Sequence, residues 1–134
     1  MAPMVPESSR RRDKLNRESL AAADAKVLDL AHLAHYTVGN RELEEELLRI
    51  FRVQLRTQAT AIAEAVGAEP WRFATHTLKG VARSIGAGAI AETAERLEQL
   101  GHAGDRGWLL ETLEAQIAAC EREIDRIIGV TPAP

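Results

Sequence analysis

Apolar residues recur at intervals of three and four along most of this chain, and no stretch shows a convincing strand-like alternation. The pattern predicts five helices. The first spans about 26–36, with Val27, Leu30 and Leu33 or Ala34 on one face and Leu28 beside them. After a TVGN turn, Asn40 is placed to cap a second helix that runs to about 66. Its apolar stripe reads Leu43, Leu47, Ile50, Leu55, Ile62 and Val66, with Phe51 and Ala59 alongside. Glu44, Glu45, Arg49, Arg52 and Arg56 mark its other face. GAEP then breaks the chain. Pro70 suits a first helical turn, and Glu69 before it is expected outside the helical region. The third helix is predicted over 70–85, with Gly86 ending it in a left-handed conformation. The fourth is predicted over 88–100, with the stripe Ile90, Ala94, Leu97 and Leu100 and a closing Gly101. The fifth follows a GHAGD loop in which Asp105 is a cap candidate, and it repeats Leu110, Leu113, Ile117, Cys120, Ile124 and Ile127 or Ile128.

Four long amphipathic helices on short connections must bury their stripes against one another. The expected fold is therefore all-α: an antiparallel four-helix bundle with an additional short N-terminal helix across one end. The ends of the chain read differently. Residues 1–22 combine prolines, serines and an RRR cluster with little apolar periodicity, which reads as a flexible basic N-terminal tail. The cluster suits an acidic partner or a membrane surface, but a solubilising role is the simpler account. The expected division is a tail at 1–22, a helical bundle at 23–129 and a disordered C-terminus at 130–134.

Composition narrows the chemistry. A length of 134 residues suits one domain, and 46% apolar content is enough for one core. The formal charge of −3 provides no global basic field for nucleic acid. One cysteine excludes an intramolecular disulfide and a thiolate zinc site of the usual kind. There is no apolar run long enough to span a bilayer and no signal-peptide core, so a cytoplasmic protein and no membrane association are expected.

The segment HTLKG, residues 76–80, breaks the helical economy, because a mid-helix glycine costs about 1 kcal/mol relative to alanine. Projected at 100° per residue, Ala74, Leu78, Val81 and Ile85 fall opposite His76, with Trp71 flanking them. His76 then points outward, among Arg72, Lys79, Gly80 and Arg83, with Phe73 and Ser84 on one shoulder. A lone exposed histidine is usually an ordinary surface residue. An outward glycine beside it suggests a partner that approaches closely. A neutral imidazole is a nucleophile near pH 7. Nothing nearby supplies the base, orienting group and oxyanion hole of a hydrolase, or further zinc ligands. A phosphoryl group on the imidazole fits better, with Lys79 and Arg83 to balance its charge and Gly80 to admit the donor.

HTLKGVARSIGA, residues 76–87, resembles the signature of histidine-containing phosphotransfer (HPt) domains of bacterial two-component phosphorelays. The match rests on His76, Leu78, Lys79, Gly80, Gly86 and Ala87; Thr75 departs mildly from the small apolar residue common there. The likeness extends over about 26–128, with IAETAERLEQLG resembling the family's next helix. The resemblance implies a four-helix bundle whose His76 accepts a phosphoryl group from the phospho-aspartate of a response-regulator receiver domain and relays it to another receiver. It implies that Lys79 screens the phosphoryl charge. Gly80, Arg83, Phe73 and Arg72 are the expected binding residues around it. The partners implied are receiver domains and a hybrid sensor histidine kinase, with no nucleic acid, and the chain is expected to be a monomer. No nucleotide loop or magnesium-binding acidic cluster is visible, so no autokinase activity and no cofactor of its own are expected. Magnesium is expected on the partner receiver.

Other residues carry simpler expectations. His32 and His35 lie one turn apart but lack two further metal ligands. His102 is expected to be a solvated loop residue, Cys120 a core residue, and Trp71 and Trp108 covers for the bundle ends. Two competing readings are a non-catalytic adaptor that binds receivers or kinases through the same face, and a structural oligomerisation bundle.

Overall fold

The structure, a computed structural model, describes residues 27–129; the tail expected over 1–22 and the chain end expected to be disordered over 130–134 lie outside the described residues. Among the described residues there are five helices and no strand: α1 (Leu30–Thr37), α2 (Arg41–Glu64), α3 (Ala68–Ser84), α4 (Gly88–Leu100) and α5 (Gly107–Ile128). Helix α2 packs on α3, α3 on α4, α4 on α5, and α5 returns against α2, while α1 leans on α2. Neighbours run in opposite directions. Arg52 of α2 meets Asp125 of α5, and Arg56, one turn later, reaches back to Glu121 and Glu114. The architecture is the expected all-α antiparallel bundle with a short N-terminal helix.

Local chemistry sets the boundaries. Helix α1 begins at Leu30, later than the apolar pattern suggested, because Asp29 is extended and its Oδ1 accepts a hydrogen bond from His32 N at 3.1 Å. Val27 and Leu28 precede the helix yet still pack against the core. Val38 and Gly39, both at positive φ, turn the chain, and Asn40 Oδ1 caps α2 by accepting from Leu43 N at 3.1 Å. Helix α3 starts at Ala68, so Glu69 is helical after all. Pro70 still falls in the first turn, where a backbone N–H would have no acceptor. Gly86 takes positive φ behind α3, as expected, and Gly101, the expected close of α4, does so too. Asp105 is only a weak cap for α5: its Oδ1 lies 3.5 Å from Gly107 N, and Arg106 occupies the capping position.

The core runs through Leu48, Leu55, Ile62, Trp71, Leu78, Ile90, Leu97, Leu113, Ile117 and Ile124. On α2 the buried stripe is Leu48, Leu55, Ala59 and Ile62, whereas Leu43, Ile50 and Val66 are exposed, contrary to the periodicity reading. Docking against α3 and α5 selects this stripe. Arg52 grips Asp125 through two hydrogen bonds of 2.8 Å, and Arg56 Nη2 lies 2.5 Å from Glu121 Oε1. These pairs lie at the half-exposed edge of the α2–α5 seam, where such pairs contribute at most about 1 kcal/mol, so they follow the burial of the Leu48–Ile62 stripe. Val66 lies beyond the helix end. Cys120 is buried, as expected, and burial pushes its thiol up to about 12.

One end of the bundle closes around Trp71. Its ring is buried and its Nε1 donates to Leu97 O at 2.9 Å. Arg106 lies over the ring at 5.0 Å, and His102 meets its edge at 5.8 Å. His102 Nε2 donates to Ala65 O at 3.1 Å. His102 is therefore part of this closure, not a solvated loop residue. Trp108 packs half-buried against the core.

Candidate functional site

The site forms on α3 where that helix faces α4. Leu78 and Ala74 anchor the inner side of α3 in the core, which turns His76 outward as the projection required. Thr75 is fully buried, and its hydroxyl is satisfied by donating to Trp71 O at 2.9 Å. The His76 side chain is 71% exposed.

Two groups of α3 converge on one residue that sequence reasoning missed. Glu98 of α4 places Oε2 3.0 Å from His76 Nδ1 and Oε1 2.7 Å from Lys79 Nζ. The Lys79 hydrogen bond holds the Glu98 carboxyl below its usual range, and His76 adds to this against the opposing effect of burial. An ionised carboxylate only accepts hydrogen bonds, so Nδ1 carries the proton in the neutral imidazole. Nε2 is left as the nitrogen with the free lone pair. A signal for Glu98 existed: Glu92, Glu95 and Glu98 form an acidic row on α4, opposite Lys79 and Arg83. Its partners become visible only once the two helices are docked.

The other expected residues fall into two groups. Arg72, Phe73 and His76 are brought together with Glu69 and Glu98 around an open cleft of about 250 Å³. Phe73 is 73% exposed, so it is not packed into its own bundle. Gly80 lies a turn beyond His76, and a Cβ built there would meet nothing within 4 Å. Arg83 is not drawn into this cleft; its Nη2 lies 3.8 Å from Glu95 Oε2 on α4. Lys79 departs from expectation. It was expected on the open face, but its side chain is 14% exposed and committed to Glu98. A long side chain can lie along the helix surface towards a neighbour's charge, which a helical projection does not capture.

Among the described residues, no group of three or more histidine, cysteine or acidic side chains could hold a metal ion. No helix among them is long and apolar enough to cross a membrane. The arrangement therefore offers one oriented, solvent-facing imidazole, three cations on the same helix in different states, and an unobstructed backbone. The family model described as the Hpt domain matches residues 46–129, which include every residue of the site. No curated protein and no solved structure matches the chain.

Proposed function

The chain belongs to the Hpt domain family, and within its histidine phosphotransfer role in two-component signalling we propose that His76 is the phosphoryl carrier. One observation supports this most: the Glu98 carboxylate occupies Nδ1, while the imidazole remains 71% exposed beside Gly80. On this reading, Nε2 attacks the phosphorus of a receiver's aspartyl phosphate. The P–N bond forms as the bond from phosphorus to the aspartate oxygen breaks, and the electron pair leaves with the carboxylate. Nδ1 keeps its proton, so the ring becomes cationic and faces the Glu98 carboxylate. The reverse sequence on a second receiver empties His76. Each step conserves charge and needs no proton from solvent.

This chain binds, orients and presents the imidazole. The receiver is expected to bring magnesium and the groups that polarise the phosphoryl oxygens. Phe73 and the bare backbone at Gly80 form the surface on which the receiver settles. The test is incubation with receivers phosphorylated by acetyl phosphate. The wild type should acquire acid-labile, base-stable phosphate from at least one of them, and His76→Gln should acquire none while keeping its helical content and unfolding midpoint. A wild type that stays unlabelled by every receiver of the same genome would sink the proposal. Full in-cell activity of His76→Gln would favour an adaptor instead.

A further inference from the structure

Three cations flank His76 on α3, and they differ in what already holds them. Lys79 Nζ is 2.7 Å from Glu98 Oε1 and its side chain is 14% exposed. Arg83 is directed at Glu95 of α4, at 3.8 Å. Arg72, one turn before His76, is exposed and lines the same open cleft as His76. Among the described residues Arg72 forms no ion pair, although Glu69 lines that cleft as well.

Glu98 has two carboxylate oxygens, and each is engaged: one by Lys79, the other by His76 Nδ1. For Lys79 to reach a phosphoryl group on Nε2, it would have to give up a charge-assisted bond in a mostly covered position. The Glu98 carboxylate would then lose the partner that fixes its orientation just as the imidazole turns cationic. Arg72 gives up no ion pair. Its position four residues before His76 puts the two side chains on one helical face. Its guanidinium presents a planar fork that matches phosphoryl oxygens.

Resting on the reading that His76 carries the phosphoryl group, we infer that Arg72 is the cation that receives that group in the cleft, and that Lys79 is a positioning residue that acts through Glu98. Lys79 holds the carboxylate, the carboxylate holds Nδ1–H, and Nε2 is thereby kept as the open nitrogen. This reverses the roles that motif resemblance alone assigns to the two cations.

The test joins two spectroscopic readouts to one rate on the full chain. Nitrogen chemical shifts of His76 report the neutral-ring tautomer before phosphorylation. The phosphorus chemical shift and the single-turnover transfer rate are read with one receiver phosphorylated by acetyl phosphate. Arg72→Gln should leave the tautomer unchanged, move the phosphorus shift and slow transfer about tenfold, the scale of one charged hydrogen bond. Arg72→Lys should recover part of the rate. Lys79→Met should shift the His76 tautomer towards a mixture, as Glu98→Ala should, and leave the phosphorus shift of whatever phosphohistidine forms near that of the wild type. The inference is overturned if Lys79→Met moves the phosphorus shift with the tautomer unchanged, or if Arg72→Gln transfers at the wild-type rate. A wild type without any phosphohistidine signal overturns the underlying reading of His76, and the inference falls with it.

Discussion

At Gly86 the backbone has a φ of +72°, and an added Cβ would lie 2.7 Å from Asp29 Cβ; at Gly80, inside α3, an added Cβ would meet nothing within 4 Å. The two glycines belong to one motif, yet the chain itself explains only Gly86. Its carbonyl accepts a hydrogen bond from Asp29 N at 3.1 Å, so the residue that ends α3 also seats the segment that caps α1. The Gly80 carbonyl accepts from Ser84 Oγ of the same helix at 2.9 Å, a bond that needs no glycine, and alanine would stabilise the helix there. A glycine that its own fold does not need points to a contact outside the fold. The same contrast separates the charged groups. Arg52 and Arg56 are consumed by Asp125, Glu121 and Glu114 along the α2–α5 seam, whereas His76 and Arg72 face an open cleft.

Substitutions at these positions should separate the two kinds of residue. The largest change in stability is expected for Gly86→Ala, which places a side chain at positive φ and against Asp29. The loss should be about 2 kcal/mol or more, read from urea unfolding. A neutral result would remove the structural account of that glycine. Next comes Glu121→Ala, which leaves Arg52 and Arg56 short of a shared acceptor and should cost about 1 kcal/mol while phosphotransfer proceeds at the normal rate. A slowed transfer there would mean that the seam and the site are coupled. Gly80→Ala should leave stability unchanged or raise it by up to about 1 kcal/mol. Its signature is kinetic, a slower transfer at undiminished stability, with larger side chains slower still. Normal transfer by this variant would detach Gly80 from receiver docking.

The smallest expected effect is on pH dependence. Arg52 holds the Asp125 carboxyl below its usual range, chiefly by hydrogen bonding, and Arg126 does the same to Glu123. A carboxyl lowered in the folded state stabilises the fold above its unfolded pKa, about 4, and loses that contribution as pH falls through the lower folded value. Urea midpoints should therefore drop below about pH 4. Asp125→Asn should start lower at neutral pH and fall less on acidification. An equal fall in both proteins would remove Asp125 from the acid response.

Much of the molecule was legible in the sequence. Helical spacing gave the five helices, Asn40 and Gly101 marked true ends, and the projection of α3 placed His76 outward and Leu78 inward. What was not legible depended on docking between distant segments. Helix α2 carries apolar residues around a wide arc, and only its docking against α3 and α5 selects Leu48 over Ile50 for burial. His102 reads as a loop residue until Ala65 and Trp71 are brought beside it. Glu98 is one of several acidic residues on α4 until α3 lies alongside. Lys79 projects near the histidine, but the carboxylate across the groove decides where its ammonium rests.

In the proposed mechanism, Glu98 holds Nδ1 and leaves Nε2 of His76 to carry the phosphoryl group. The most direct measurement is phosphorus–nitrogen coupling in the nitrogen-15-labelled protein after reaction with a phosphorylated receiver. One phosphorus bonded to Nε2 of His76 is expected. A phosphorus on Nδ1, on another residue, or on none in the wild type would contradict it.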